Sequence, residues 1–287
     1  MKETRVNEFS HREFWVAVVK SGNSFKAAGY ESPQSGGPRK VVATVEGSTQ
    51  QEVAADIKAR LNEQSDEFFG FGGAINLFMK AYPDGFQTPQ FLDEERTYKR
   101  DASKRIRATL TRSFIEEAIE SGEYSEFAKG VMSGVQATNL VSPYEKARFN
   151  DAMKKSDIRK QFAPALRDLL YGDFDQAFVA LVGVLREGEA LTWPLATYFP
   201  FLFDPLRHMF MKPEVMRLCA YRLGFDLHYE TPPTIQTYRT LLEFTDFVRD
   251  GISSLNPEDN IDIQSFIYVI GAPGYVRETV AQRAERD

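Results

Sequence analysis

The residues with the strongest capacity for chemistry are few and scattered. The three histidines, His11, His208 and His228, lie far apart, and none has the i, i+4 or short-loop spacing at which imidazoles share a metal. In "FDLHYE" an extended backbone would put Asp226, His228 and Glu230 on one face, where two carboxylates and an imidazole suit a divalent ion. A solvated segment is the simpler expectation. A metal nuclease would combine Asp84 or Asp93 with "IDIQ" (261–264), which would then have to be a strand. Cys219 sits mid-helix among Val215, Met216, Leu218 and Leu223, far from the base or helix start that activates a thiolate. It reads as a core residue. The glycine-rich stretches "GYESPQSGG" and "FGFGG" lack the Lys-Ser/Thr ending of a phosphate loop. No catalytic residue, metal site or cofactor is expected, and whether a small-molecule ligand binds is left open.

One electrostatic feature stands out. Between Glu94 and Arg112 seven basic residues (Arg96, Lys99, Arg100, Lys104, Arg105, Arg107, Arg112) face three acidic ones (Glu94, Glu95, Asp101), in a chain whose net charge is -6. Arg96, Arg100, Lys104 and Arg107 recur at helical spacing opposite an apolar stripe of Leu92, Tyr98, Ala102, Ile106, Leu110 and Phe114. Lys26, Arg39 and Lys40 offer a second basic patch nearer the N-terminus. Such faces suit phosphate backbones, so Lys26, Arg39, Lys40, Arg96, Lys99, Arg100, Lys104 and Arg107 are the expected nucleic-acid contacts. The competing expectation is a solvated helix face carrying pairs such as Glu95–Lys99 and Asp101–Arg105.

These residues must be held by two different kinds of scaffold. "FWVAVV" (14–19), "FKAAGY" (25–30) and "RKVVATVEG" (39–47) are rich in β-branched and aromatic residues and read as three strands. "KSGNS" supplies a turn and "ESPQSGGP" a loop. Thr49 and Glu52 are spaced as a capping box, and Val53, Ile57 and Leu61 follow on one helical face. The expected fold is α+β: a small β-β-β-α domain over 1–63, then a mainly helical domain over 64–287.

In the second part, a buried helix is expected before Pro83, and a long amphipathic helix from Thr88 that breaks near Thr111. Ser142, Pro143 and Glu145 mark the sharpest helix start in the chain. Helices follow at about 158–171 and 173–187, then over "TWPLATYF", "KPEVMRLCAYRLG" with Gly224 as its C-terminal cap, and "TPPTIQTYRTLLEFTDFVRDGI". "NIDIQSFIYVIG" reads as a buried helix rather than a strand, and the polar tail "RETVAQRAERD" as frayed.

Composition narrows the class. Hydrophobic residues make up 43% and charged residues 26% of 287, which is globular rather than disordered. A pI near 5.4 argues against coating nucleic acid over the whole surface, though not against a local basic face. A single cysteine excludes an internal disulfide and points to a reducing, cytoplasmic compartment. The opening "MKETRVNEFS" has no secretory h-region, and the longest apolar run, Leu191 to Phe203, is too short to span a bilayer and reads as a buried helix pair. The 23 phenylalanines suit a well-filled core, a protein-docking surface, or both, and the sequence does not divide them.

The aromatic-rich opening strand "EFWVAVV", the short strands after it and the helix behind a Ser/Thr-rich turn are similar to WGR-type domains. In some members of that family the unit contacts DNA ends or phosphates. The Trp-Gly-Arg signature itself is absent: "FKAAGYES" keeps Gly29 but follows it with Tyr30. "FPFLFDPLRHMFMKPEVMRLCAYRLGFDLHY" and "NIDIQSFIYVIG" resemble segments of uncharacterised bacterial proteins, which implies a bacterial or mobile-element origin. The resulting expectation is a non-enzymatic, DNA-associated binding module within a larger bacterial assembly. A protein-interaction or scaffold subunit is the first alternative, and a metal-dependent nuclease or hydrolase the second.

Overall fold

A computed structural model of the chain describes residues 4–12, 14–31, 39–64, 70–272 and 274–284. The chain divides into two compact units, Met1–Phe69 and Gly70–Asp287. The architecture is α+β, with the sheet confined to the first unit and the second built from helices.

The first unit holds four strands where the sequence suggested three: β1 (Thr4–His11), β2 (Phe14–Ser21), β3 (Ser24–Glu31) and β4 (Lys40–Gly47), followed by α1 (Gln50–Gln64). They form one antiparallel sheet in the order β1-β2-β3-β4. The additional strand β1 pairs His11 with Phe14 and Thr4 with Lys20, and its register shifts between Arg5 and Asn7. That irregularity breaks the alternation that would have announced the strand. Ser21 pairs with Ser24, so Gly22 and Asn23 form a two-residue hairpin loop; Gly22 takes φ +61°, which its missing Cβ makes free of clash. The loop expected over 32–38 lies outside the described residues.

α1 starts as its capping box predicts. Thr49 Oγ1 accepts the N–H of Glu52 at 3.1 Å, and the Glu52 carboxylate accepts the N–H groups of Ser48 and Thr49. These bonds hold the Glu52 carboxyl below its usual range, the Ser48 hydroxyl contributing most. Val53, Ile57 and Leu61 face one side of the sheet and bury Phe14, Val16, Val18, Ala27, Ala43 and Val45. A Cβ on Gly29 would lie 2.6 Å from Leu61 Cδ2, so the glycine lets the helix approach β3 closely.

The second unit runs α2 (Gly70–Ala81), α3 (Pro89–Phe91), α4 (Tyr98–Thr109), α5 (Arg112–Ser121), α6 (Ser125–Gln136) and α7 (Pro143–Lys154). It continues with α8 (Ser156–Tyr171), α9 (Phe174–Glu187), α10 (Trp193–Phe203), α11 (Pro213–Leu223), α12 (Ile235–Gly251), α13 (Asn260–Gly271) and α14 (Tyr275–Ala284). The long amphipathic helix does break at Thr111, whose hydroxyl caps α5. Its N-terminal part is unusual: Leu92–Thr97, between α3 and α4, winds as a π-helix. Leu191–Phe203 contributes one buried helix, not a pair. The C-terminal tail is helical through Ala284, where fraying was expected.

α13 is the axis of this unit. Every residue from Asn260 to Gly271 except Tyr268 is buried. "IDIQ" is thus helical, and the nuclease reading loses the strand it required. No described helix is long and apolar enough to cross a membrane.

Candidate nucleic-acid interface

Because α1 covers only one face of the sheet, strand alternation decides what the other face carries. On β2, Phe14, Val16 and Val18 point to the helix, so Trp15, Ala17 and Val19 point away. Trp15 is paired with Tyr30 of β3, and their rings sit 5.4 Å apart at 47°. Two guanidinium groups cover the indole: Arg39 Cζ lies 4.2 Å from its ring centroid and Arg5 Cζ 5.3 Å. Arg5 also donates to Glu8 at 3.1 Å. Both aromatic rings are half-buried, and Arg39 is exposed. The face therefore carries two adjacent aromatic rings, the indole of Trp15 being covered by the two arginines.

Of the three basic residues expected here, Arg39 belongs to this cluster. Lys26 shares the same face but forms an ion pair with Glu46 of β4 at 3.2 Å. Lys40 is opposite Glu31 in the register, in line with Phe14, so the pleat directs it to the helix-covered side. Arg5, Trp15 and Tyr30 were not anticipated. The signal for Trp15 was present, since it occupies the odd phase of an otherwise inward-alternating strand.

The basic helix turns out differently. Arg96 is 4% exposed and Lys99 1%, so neither is on the surface where a nucleic-acid backbone would pass. Arg96 forms a bidentate pair with the buried Asp262 of α13, Nε to Oδ1 at 2.8 Å and Nη2 to Oδ2 at 2.7 Å. Its Nη1 donates to Glu258 at 3.1 Å. Lys99 donates to Glu95 at 2.7 Å and to Ser265 of α13 at 2.8 Å. Tyr275 donates to the other Glu95 oxygen at 2.6 Å, and Tyr82 is 2.8 Å from the Tyr275 hydroxyl. Arg100 is one-third exposed and bonds Glu258 at 2.7 Å, with Asp259 at 3.6 Å. That hydrogen bond holds Glu258 below the usual carboxylate range, while burial and then the neighbouring Asp262 push Asp259 up.

Glu95, Glu258, Asp259 and Asp262 thus offset Arg96, Lys99 and Arg100, and the face is not basic. Only Lys104 and Arg107 of the expected set are exposed there, and Lys104 pairs with Asp101 at 3.4 Å. The physical reason is the helix phase. Glu95 and Lys99 continue the buried line of Ala102, Ile106 and Leu110, so the stripe begins with charges instead of Leu92.

The remaining candidates are placed as follows. His228 has φ +42°, which ends the extended geometry needed to align it with Asp226 and Glu230; its Nδ1 lies 3.4 Å from Asp226. Among the described residues no three His, Cys, Asp or Glu side chains are grouped to hold a metal. His208 stacks on Phe174 at 4.4 Å, and burial lowers its pKa to about 4. Cys219 is buried, and burial pushes its thiol up. The large hydrophobic side chains exposed among the described residues are Val6, Val41, Tyr144, Val179, Leu206 and Tyr221. None of these is phenylalanine, and two are tyrosines. No protein-family model matches the chain, and neither the curated proteins nor the solved structures include a match to it.

Proposed function

We propose that the N-terminal unit is a binding module that takes single-stranded nucleic acid on the open face of its sheet. The observation that carries this reading is the Trp15–Tyr30 pair flanked by Arg39 and Arg5 on a face that α1 leaves uncovered. Bases stack on aromatic side chains irrespective of their identity, each worth about 1–3 kcal/mol. Arginines beside the rings then meet the phosphates that link those bases. Arg39 now lies over the indole; an incoming base takes that position and the guanidinium moves to the backbone.

The first unit supports only this local mode. Residues 1–69 carry nine Lys and Arg against ten Asp and Glu, so long-range attraction is weak. Binding therefore depends shallowly on salt, with a slope of about -0.7 per phosphate contacted on a single strand.

The test is a fluorescence titration of the full chain with labelled single-stranded DNA and RNA, and with duplex, across a salt series. Single strands are expected to bind more tightly than duplex and to quench Trp15. Trp15→Ala should weaken binding about 5- to 150-fold, in line with the loss of one stacked base. Arg39→Ala should weaken it less and flatten the salt dependence. Absence of binding at low salt, or binding indifferent to Trp15→Ala and Tyr30→Ala, would overturn the proposal.

A further inference from the structure

A second feature, independent of the sheet, lies in the helical unit where the π-helical turn meets α13. Glu95, Tyr98 and Lys99 on one side, Gln264 and Tyr268 of α13 on another, and Asn139, Leu140 and Lys212 from two loops enclose a partly open cavity of about 60 Å³. That volume holds several waters or one tetrahedral oxyanion.

Its wall contains an unmet demand. Gln264 is 2% exposed, and its Oε1 has no hydrogen-bond partner. A buried amide oxygen without a donor is costly, and native proteins avoid leaving one. The cavity is also rich in donors. Lys99 commits two of its three N–H groups, to Glu95 and Ser265. The Lys212 ammonium lies 4.8 Å from the Tyr268 ring centroid. Tyr98, Tyr268 and the Asn139 amide add neutral polar groups. Two ammonium groups face the one carboxylate of Glu95, which already accepts from Lys99 and Tyr275. Within the lining Glu95 is thus the one carboxylate beside two ammonium groups, and Gln264 Oε1 is the one buried side-chain acceptor left without a donor.

We propose that this cavity binds a hydrogen-phosphate group, free or as the head of a small monoester. Its oxygens accept from Lys212, Lys99 and the Gln264 Nε2, and its O–H donates to Gln264 Oε1. Sulfate, which has the same shape and no O–H at neutral pH, leaves Gln264 unsatisfied. Burial lowers the Lys212 pKa, with Glu145 and Glu95 acting in the opposite direction. An anion in the cavity acts in the same direction as those carboxylates and favours the charged ammonium. Polar groups buried for a specific hydroxyl reject the analogue that lacks it by large factors.

The experiment is thermal unfolding and calorimetric titration of the full chain with inorganic phosphate, sulfate and chloride at neutral pH and equal ionic strength. Phosphate should raise Tm saturably, while sulfate and chloride should not. Lys212→Gln, half-exposed and safe for the fold, should weaken phosphate binding at least tenfold. Gln264→Met keeps the side-chain length, and should abolish the preference for phosphate over sulfate without lowering the Tm of the ligand-free protein. Glycerol phosphate in place of phosphate separates the two sources: an equal or larger response assigns a phosphate ester, and none assigns the free ion. Equal responses to phosphate and sulfate in the wild type, or a preference that survives in both variants, would overturn the site.

Discussion

Asp262 is fully buried, and Arg96 meets both of its oxygens. The arrangement is specific rather than stabilising in sum. Removing one partner strands a charge in the core, which costs about 3–5 kcal/mol, whereas replacing both with apolar groups is often neutral. Asp262→Leu should therefore destabilise the helical unit by that amount in urea unfolding followed at Trp193. Arg96→Met in the same background should restore most of the loss. If the double variant proved no better than the single, the pair would not be the compensating unit described here. Both halves of the pair were visible in the sequence but could not be joined. Arg96 reads in the sequence as one of the basic residues expected to contact phosphates, and Asp262 as part of the "IDIQ" that a metal nuclease would use. An aspartate inside an apolar run does imply a buried cation. The cation's identity rests on a separation of 166 residues that no local pattern encodes.

At the scale of elements, the glycines in helices behave oppositely according to what lies beside them. Gly183 in α9 has nothing within 4 Å of where a Cβ would stand. Gly183→Ala should stabilise by about 0.5–1 kcal/mol, because alanine restricts the unfolded chain and clashes with nothing. Gly271 ends α13 where it crosses α11, and a Cβ there would fall 2.2 Å from the Val215 carbonyl oxygen. Backbone cannot yield as a side-chain tip can, so Gly271→Ala should cost about 1–3 kcal/mol by overpacking. Opposite shifts of Tm in the two variants are the expected result; shifts of the same sign would mean that helix propensity, not helix contact, governs both. Helix starts were the most legible elements, since a cap is a local signal. The capping box of Ser142 and Glu145 is present with the Ser142 hydroxyl accepting at 3.3 Å. β1 was not legible: it is an edge strand, largely exposed, with an irregular register. The π-helical turn was also hidden, because it is fixed by the buried pairs of Glu95, Arg96 and Lys99 rather than by its own composition.

At the scale of the molecule, the candidate interface could be read only in part. Arg39 was named from charge, but the sheet face that makes it matter required the pairing of Trp15 with Tyr30. The separate cores of the two units have a consequence that one experiment reaches. Leu61 is buried against the sheet, and the core it joins is confined to the first unit. The chain has two tryptophans, Trp15 in the first unit and Trp193, 2% exposed, in the second. Leu61→Ala removes about 2–5 kcal/mol from its core. That is comparable with the whole stability of a domain this small. With Trp193→Phe isolating Trp15, the Leu61→Ala variant should show the first unit's transition shifted to much lower temperature. With Trp15→Phe isolating Trp193, the same variant should unfold where the parent does. Were both reporters to shift together, the two units would unfold as one cooperative body, and a sheet variant could no longer be assumed to leave the helical cavity intact.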